Sequence, residues 1–193
     1  NPGRSGYDLC IEAGELLEDT RALLTRFFHG TDPNRLVFGY NSTDALNLIV
    51  WGMLQAGDHA ISTTIEHNSV LRPLWHVARD KGVEVDHIPF DSRGFVDPDD
   101  FRKKFRPNTR LVIVNHGSNV IGTVQPVAEI GRLCRERNIP FAIDASQTAG
   151  KIPVDMEAMN LDVVAFTGHK SLMGPTGIGG LCVREGIEIR HTR

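Results

Sequence analysis

The sequence predicts an α/β domain: a three-layer sandwich around a seven-stranded, mostly parallel sheet. Three observations carry this expectation. Short apolar runs rich in Val and Ile alternate with stretches of helical periodicity. Runs such as Leu-Val-Ile-Val at 111–114 are apolar throughout, which suits strands covered on both faces. Polar clusters follow the runs at their carboxyl ends, where open parallel sheets bind ligands.

The elements follow in order. Residues 5–29 read as a leading amphipathic helix, with Leu9, Ala13, Leu16, Leu17, Leu23, Leu24, Phe27 and Phe28 recurring at spacings of three and four. Gly30 and Thr-Asp-Pro-Asn end it. Strands are expected at 36–39, 60–64, 83–88, 111–115, 141–144, 163–167 and 180–183. Helices are expected at about 42–55, 69–81, 97–105 and 126–138, with Pro98 and Pro126 in the first turns of the last two. No composition shift divides the 193 residues, so residues 1–193 are taken as one domain with a core of its own.

Composition narrows the class. An apolar fraction of 40% and a charged fraction of 23% indicate a globular chain. A net charge of -3 implies no basic face, and argues against nucleic acid as partner. No apolar run is long enough to cross a bilayer, and no signal-peptide pattern opens the chain. Cys10, Cys134 and Cys182 are widely spaced and odd in number, which points away from a disulfide framework or zinc site and toward the cytoplasm. The first residue, Asn1, suggests a processed or incomplete chain.

The strand ends carry the chemistry. Asn41-Ser42-Thr43 follows the first strand and Glu66-His67-Asn68 the second. Asn115, His116 and Asn119 follow the fourth, Asp144-Ala-Ser-Gln147 the fifth, and Thr167-Gly-His169-Lys170 the sixth. Parallel strands would gather all of these on one edge. Together they suit pyridoxal phosphate. Hydroxyls and free N–H groups at a helix start bind phosphate, as Ser42 and Thr43 could. A carboxylate such as Asp144 keeps a pyridine nitrogen protonated. His67 can stack on the ring and move protons. The Lys170 amine can form a Schiff base with the aldehyde. Taken singly, each has a plainer reading. Asp144 is a turn residue, Ser42-Thr43 an ordinary helix cap, and Lys170 a solvated surface lysine in a glycine-rich loop.

The joint pattern resembles a known family. Asn-Ser-Thr-Asp-Ala-Leu-Asn-Leu (41–48), Glu-His-Asn-Ser (66–69), Ser-Asn-Val-Ile-Gly-Thr (118–123), Asp-Ala-Ser-Gln (144–147) and Thr-Gly-His-Lys-Ser-Leu-Met-Gly-Pro-Thr-Gly-Ile-Gly (167–179) are similar to class V aminotransferase-fold enzymes, as is Asn-Pro-Gly-Arg-Ser-Gly (1–6). The branch most resembled is that of the cysteine desulfurases and selenocysteine lyases. The resemblance implies the large domain of the fold type I pyridoxal-phosphate enzymes. It implies that Lys170 holds the cofactor and shuttles protons, Asp144 pairs with the pyridinium nitrogen, and Gln147 meets the ring hydroxyl. It further implies that His67 stacks on the ring, that Ser42, Thr43, Thr167 and His169 hold the phosphate, and that Asn119 lies near the ring oxygen and substrate carboxylate.

Members of that family are about twice this long. Their nucleophilic cysteine and substrate-binding arginine lie in a smaller C-terminal domain with no counterpart here. The closing Arg-His-Thr-Arg resembles the lead into a segment that completes a partner subunit's phosphate site. The expectation is therefore a homodimer acting on a small amino acid, removing sulfur from L-cysteine and passing it to an acceptor protein, with this chain inactive alone and weak in retaining cofactor. A class V aminotransferase or other lyase is the alternative, and a catalytically dead binding module the third. A nicotinamide dinucleotide domain is disfavoured, since no GxGxxG follows the first strand.

Overall fold

The computed structural model describes residues 2–3 and 6–190. The first family-like stretch, 1–6, and the closing Arg-His-Thr-Arg thus fall largely or partly outside the described residues. Seven strands form one sheet: β1 (Leu36–Gly39), β2 (His59–Thr63), β3 (Glu84–Ile88), β4 (Thr109–Asn115), β5 (Phe141–Asp144), β6 (Val163–Thr167) and β7 (Gly179–Val183). Among the described residues five α-helices accompany the sheet, α1 before it and the rest between strands: α1 (Asp8–Phe27), α2 (Ser42–Met53), α3 (Asn68–Lys81), α4 (Pro98–Lys104) and α5 (Val127–Glu136).

The strand order is β1-β7-β6-β5-β4-β2-β3. Strands β2 to β6 pair in parallel, and β7 is antiparallel to both β6 and β1. Two reversals restore direction, so β1 runs with β2–β6. Only β7 opposes them. The carboxyl ends of six strands therefore share one edge, and the loop feeding β7 starts from that edge. The chain places β3 on one side of β2 and returns to place β4 on the other. This reversal of order between β2 and β4 is where such sheets open a ligand crevice.

Helices cover both faces, which completes the three layers. On one face α2 and α3 pack Leu46, Ile49, Leu74 and Val77 against Ala60, Leu111, Ile113 and Ala142. On the other, Phe101 of α4 and Ile130 and Cys134 of α5 meet Ile61, Val112, Phe141 and Ile143. Alternate residues of β4 thus enter opposite cores, as the two-residue strand period requires. Phe28, fully buried, meets Phe166 with ring centroids 5.2 Å apart. Burial of such a ring contributes roughly 1.5–3 kcal/mol.

Caps set the helix limits. Asp97 accepts the Asp99 N–H before Pro98, and Gly82 at φ 69° closes α3 in the left-handed region. Pro126 departs from expectation: it is the cap residue before α5 rather than part of the first turn. The edge strand β3 is guarded by charge, with Arg106 bonded to both Glu84 and Asp86.

The leading helix also departs from expectation. Its periodic apolar residues do not all enter the core. Leu9, Leu16 and Leu23 are 69%, 70% and 59% exposed, while Cys10 and Thr25 are the helix residues that are buried. Positions 9, 16 and 23 are seven apart and share one side of α1. The inner side carries Cys10 and Leu24, and the chain anchors through Phe28 beyond the helix. Periodicity reveals a stripe, but which stripe faces the sheet depends on packing.

Candidate functional site

A cavity of about 280 Å³ opens at the shared strand edge. All nine residues expected at the site line it: Ser42 and Thr43 from the start of α2, His67 from the start of α3, Asn119 from the turn after β4, Asp144 at the end of β5 and Gln147 beyond it, and Thr167 at the end of β6 with His169 and Lys170 beyond it. Asn41, Asn115, Gly117 and Ser146 line it too, and sequence reasoning assigned these no role.

The start of α2 forms one end. The Asn41 side chain caps the helix by accepting the Asp44 N–H at 3.0 Å. The N–H groups of the first turn have no partner within a helix, and the dipole adds positive potential there. Strand β7 reaches this helix start only because residue 179 is glycine. A Cβ there would lie 2.7 Å from Asn41 Cα and 2.6 Å from the Phe166 carbonyl oxygen.

Asp144 is buried at the end of β5. Its Oδ1 accepts the Ser146 N–H at 2.9 Å and also meets the Ser146 hydroxyl. That hydroxyl lies 2.6 Å from the Ser42 hydroxyl. A hydroxyl has one proton to donate, and the carboxylate is the stronger acceptor. Ser146 therefore donates to Asp144 and receives from Ser42. The Ser42 hydroxyl, expected to face a phosphate, is thus engaged with Ser146, and its N–H at the first turn remains for an anion. Ser146 lies in the Asp-Ala-Ser-Gln motif, where the sequence expectation gives it no role of its own. The motif itself was the signal that could have found it.

His67 caps α3. Its Nδ1 receives the Ser69 backbone N–H at 3.1 Å, and a backbone N–H can only donate. The neutral ring therefore carries its proton on Nε2. Thr167 and His169 meet at 3.1 Å between Oγ1 and Nδ1. Asn119 sits in a turn tied by Ser118, whose hydroxyl accepts the N–H groups of Val120 and Ile121.

Lys170 follows in a tight turn. Its carbonyl accepts the Met173 N–H at 2.9 Å, and Gly174 closes on the Gly168 carbonyl at 2.8 Å. Met173 pays for this turn with a φ of 56°. Gly150, at φ 88°, admits the loop: a Cβ there would lie 2.4 Å from the Ser171 carbonyl oxygen. Among the described residues the Lys170 amine has no hydrogen-bond or ion-pair partner.

Behind the wall stands His116, which is buried. Its Nδ1 lies 2.9 Å from Thr148 Oγ1, and desolvation lowers its pKa to about 4. It is neutral near pH 7. The cysteines stay in the core and none lines the cavity. Burial pushes the Cys182 thiol up to about 11 and the Cys134 thiol higher still. Neither is a ready nucleophile.

The donor set has a clear chemical character. Free N–H groups and a hydroxyl lie at a helix start, a buried carboxylate stands at the next strand end, and an uncommitted amine follows. This set fits a phosphorylated heterocyclic aldehyde. Among the described residues, no cluster of His, Cys, Asp and Glu could hold a metal.

Residues 1–191 match the family model for aminotransferase class V. The chain belongs to this family. Among curated relatives, cysteine desulfurase IscS of Dictyoglomus turgidum is 34% identical over 182 residues, covering 92% of this chain and 45% of the relative. Cysteine desulfurase IscS of Vibrio campbellii is 36% identical over 194 residues, covering 98% and 47%. The chain therefore spans about half the length of these relatives. The apo structure of the cysteine desulfurase from Thermococcus onnurineus NA1 superposes with a TM-score of 0.90 at 34% identity, over 96% of this chain and 46% of that one. A structure described as SspA in complex with cysteine gives 0.89 at 29% identity, over 98% and 56%. The α/β fold with its seven-stranded, mostly parallel sheet is that of the class V family.

Proposed function

We propose that this chain is the cofactor-binding part of a pyridoxal-phosphate enzyme that removes sulfur from L-cysteine and leaves alanine. The observation that carries the reading is the meeting of Lys170, Asp144 and the start of α2 in one cavity. The cysteine desulfurases among its relatives, and the cysteine held by SspA, support the substrate.

In this reading Lys170 holds the cofactor through its aldehyde and moves a proton at the substrate α-carbon. Thr43, Thr167, His169 and the α2 N–H groups receive the phosphate, with Ser42 contributing through its N–H. The Asp144 carboxylate, which accepts two donors from Ser146, would hold a proton on the ring nitrogen. Gln147 and Asn119 orient the ring hydroxyl and substrate carboxylate, and His67 covers the ring. The bound cofactor supplies an electron-withdrawing ring next to the substrate α-carbon.

The sulfur-accepting thiol must come from outside the three core cysteines, so this chain alone is proposed to be inactive. A homodimer and a sulfur-acceptor protein complete the proposal; the exposed Leu9, Leu16 and Leu23 of α1 offer apolar area for an interface. A reducing, cytoplasmic setting is part of the proposal, since Cys134 and Cys182 are buried free thiols.

The family description itself supports a second reading, aminotransfer to a keto acid. One assay of the complete protein separates them. Alanine and sulfide formed in equal amounts from cysteine support desulfuration. Keto-acid-dependent transfer without sulfide supports the second reading.

A further inference from the structure

One buried side chain at this edge has no part in the chemistry above. Glu66 lies just beyond β2 and is buried. Its Oε1 accepts the Thr63 hydroxyl at 2.6 Å and the backbone N–H of Asn115 at 2.9 Å. Thr63 ends β2 and Asn115 ends β4, so this one oxygen spans the place where strand order reverses. Asn115 in turn pairs in register with Asp144. Glu66 Oε2 is buried with no hydrogen-bond partner.

The charge state of Glu66 follows from its surroundings. An unpartnered carboxylate oxygen in a dry site is far costlier than an unpartnered O–H. The charged group that faces Glu66 is Asp144 from β5, an anion. From β4 it meets a backbone N–H and from β2 a hydroxyl, and His67 follows it in sequence at the start of α3. The two donors favour ionisation but do not outweigh burial. Desolvation, with Asp144 adding to it, raises the Glu66 carboxyl to about 8. Among the described residues Asp144 is the only acidic one lining the cavity, and a neutral Glu66 adds no second negative charge beside it.

We propose that Glu66, as a neutral carboxylic acid, is a positioning residue that locks the 63–67 turn to the end of β4 and so holds His67 and Asp144 in one frame. The role of that frame rests on the cofactor reading above, but the lock itself does not.

The test compares Glu66→Gln, which keeps the accepting oxygen without an ionisable proton, with Glu66→Ala, which removes it. The first readout is thermal unfolding of the cofactor-free chain between about pH 5 and about pH 9. A carboxyl raised in the folded state stabilises at low pH, and that stability drains away as pH rises toward and through about 8. The wild-type midpoint should fall across this range relative to Glu66→Gln. Parallel profiles for the two would overturn the proposal. The second readout is titration of the complete protein with pyridoxal phosphate near neutral pH, followed by visible absorption. Glu66→Gln should bind close to wild type, and Glu66→Ala about tenfold or more weakly, the loss expected when buried donors are stranded. An alanine variant that folds and binds as tightly as wild type would also overturn it. If wild type itself gives no visible band, the cofactor reading fails instead, and the unfolding profiles alone decide the lock.

Discussion

The hydroxyls of Ser42 and Ser146, 104 residues apart in sequence, meet at 2.6 Å. Their contact joins the start of α2 to the carboxylate of Asp144 through one shared hydroxyl. The α2 end of the cavity and its acidic end are therefore one polar unit.

That unit predicts coupling between the two serines. Ser42→Ala and Ser146→Ala should each weaken pyridoxal-phosphate binding, with Ser146→Ala the more damaging because Asp144 loses a hydroxyl donor. The double variant should be less impaired than the sum, by about 1 kcal/mol. Equilibrium titrations of the four proteins give the coupling, and strict additivity would refute the shared line.

Lys170 carries the covalent attachment in this reading. In the complete protein Lys170→Ala should abolish the visible absorption band that appears when pyridoxal phosphate is added, while circular dichroism and unfolding stay near wild type, because the exposed Lys170 side chain has no partner among the described residues. A normal band in the variant would rule out the assignment.

Gly179 is expected to tolerate no side chain. Gly179→Ala drives a methyl group into Asn41 and the Phe166 carbonyl. Overpacking of this kind costs about 1–3 kcal/mol. Denaturant unfolding should show that loss, with weaker phosphate binding in parallel, since the displaced atoms belong to the α2 cap.

His116 predicts an acid limb of stability. Its pKa is lowered to about 4 by burial, against an ordinary value of 6.5. The folded state thus resists a proton that the unfolded chain accepts. Stability is fully present above about pH 6.5 and falls as pH drops toward 4, by about 3 kcal/mol at most. His116→Gln keeps a partner for Thr148 without the charge and should flatten this limb in denaturant melts. An unchanged slope would assign the limb to other groups.

Much of the architecture was legible in the sequence. Strands 36–39, 141–144 and 163–167 match residue for residue, because short apolar runs delimited by Gly39, Pro140, Asp162 and Gly168 leave little freedom in where a buried strand starts and stops. The gathering of the nine expected residues around one cavity was legible as strand-end clusters, because parallel topology sends every such cluster to one edge. The direction of β7 was not legible. Its five residues fit either direction, and only pairing with β6 and β1 decides it.

What the amino-acid order determined was local: periodicity, caps, turn glycines, and the chemical types waiting at each strand end. What only the tertiary structure decided was which of those groups touch. It left Leu16 outside and buried Cys10, because one helix can turn only one side toward a sheet. It engaged the Ser42 hydroxyl with Ser146 and set Glu66 across β2 and β4. These contacts depend on distances between residues far apart in the chain, and on how much water packing removes from around a charge. Neither quantity is written in any local stretch of sequence.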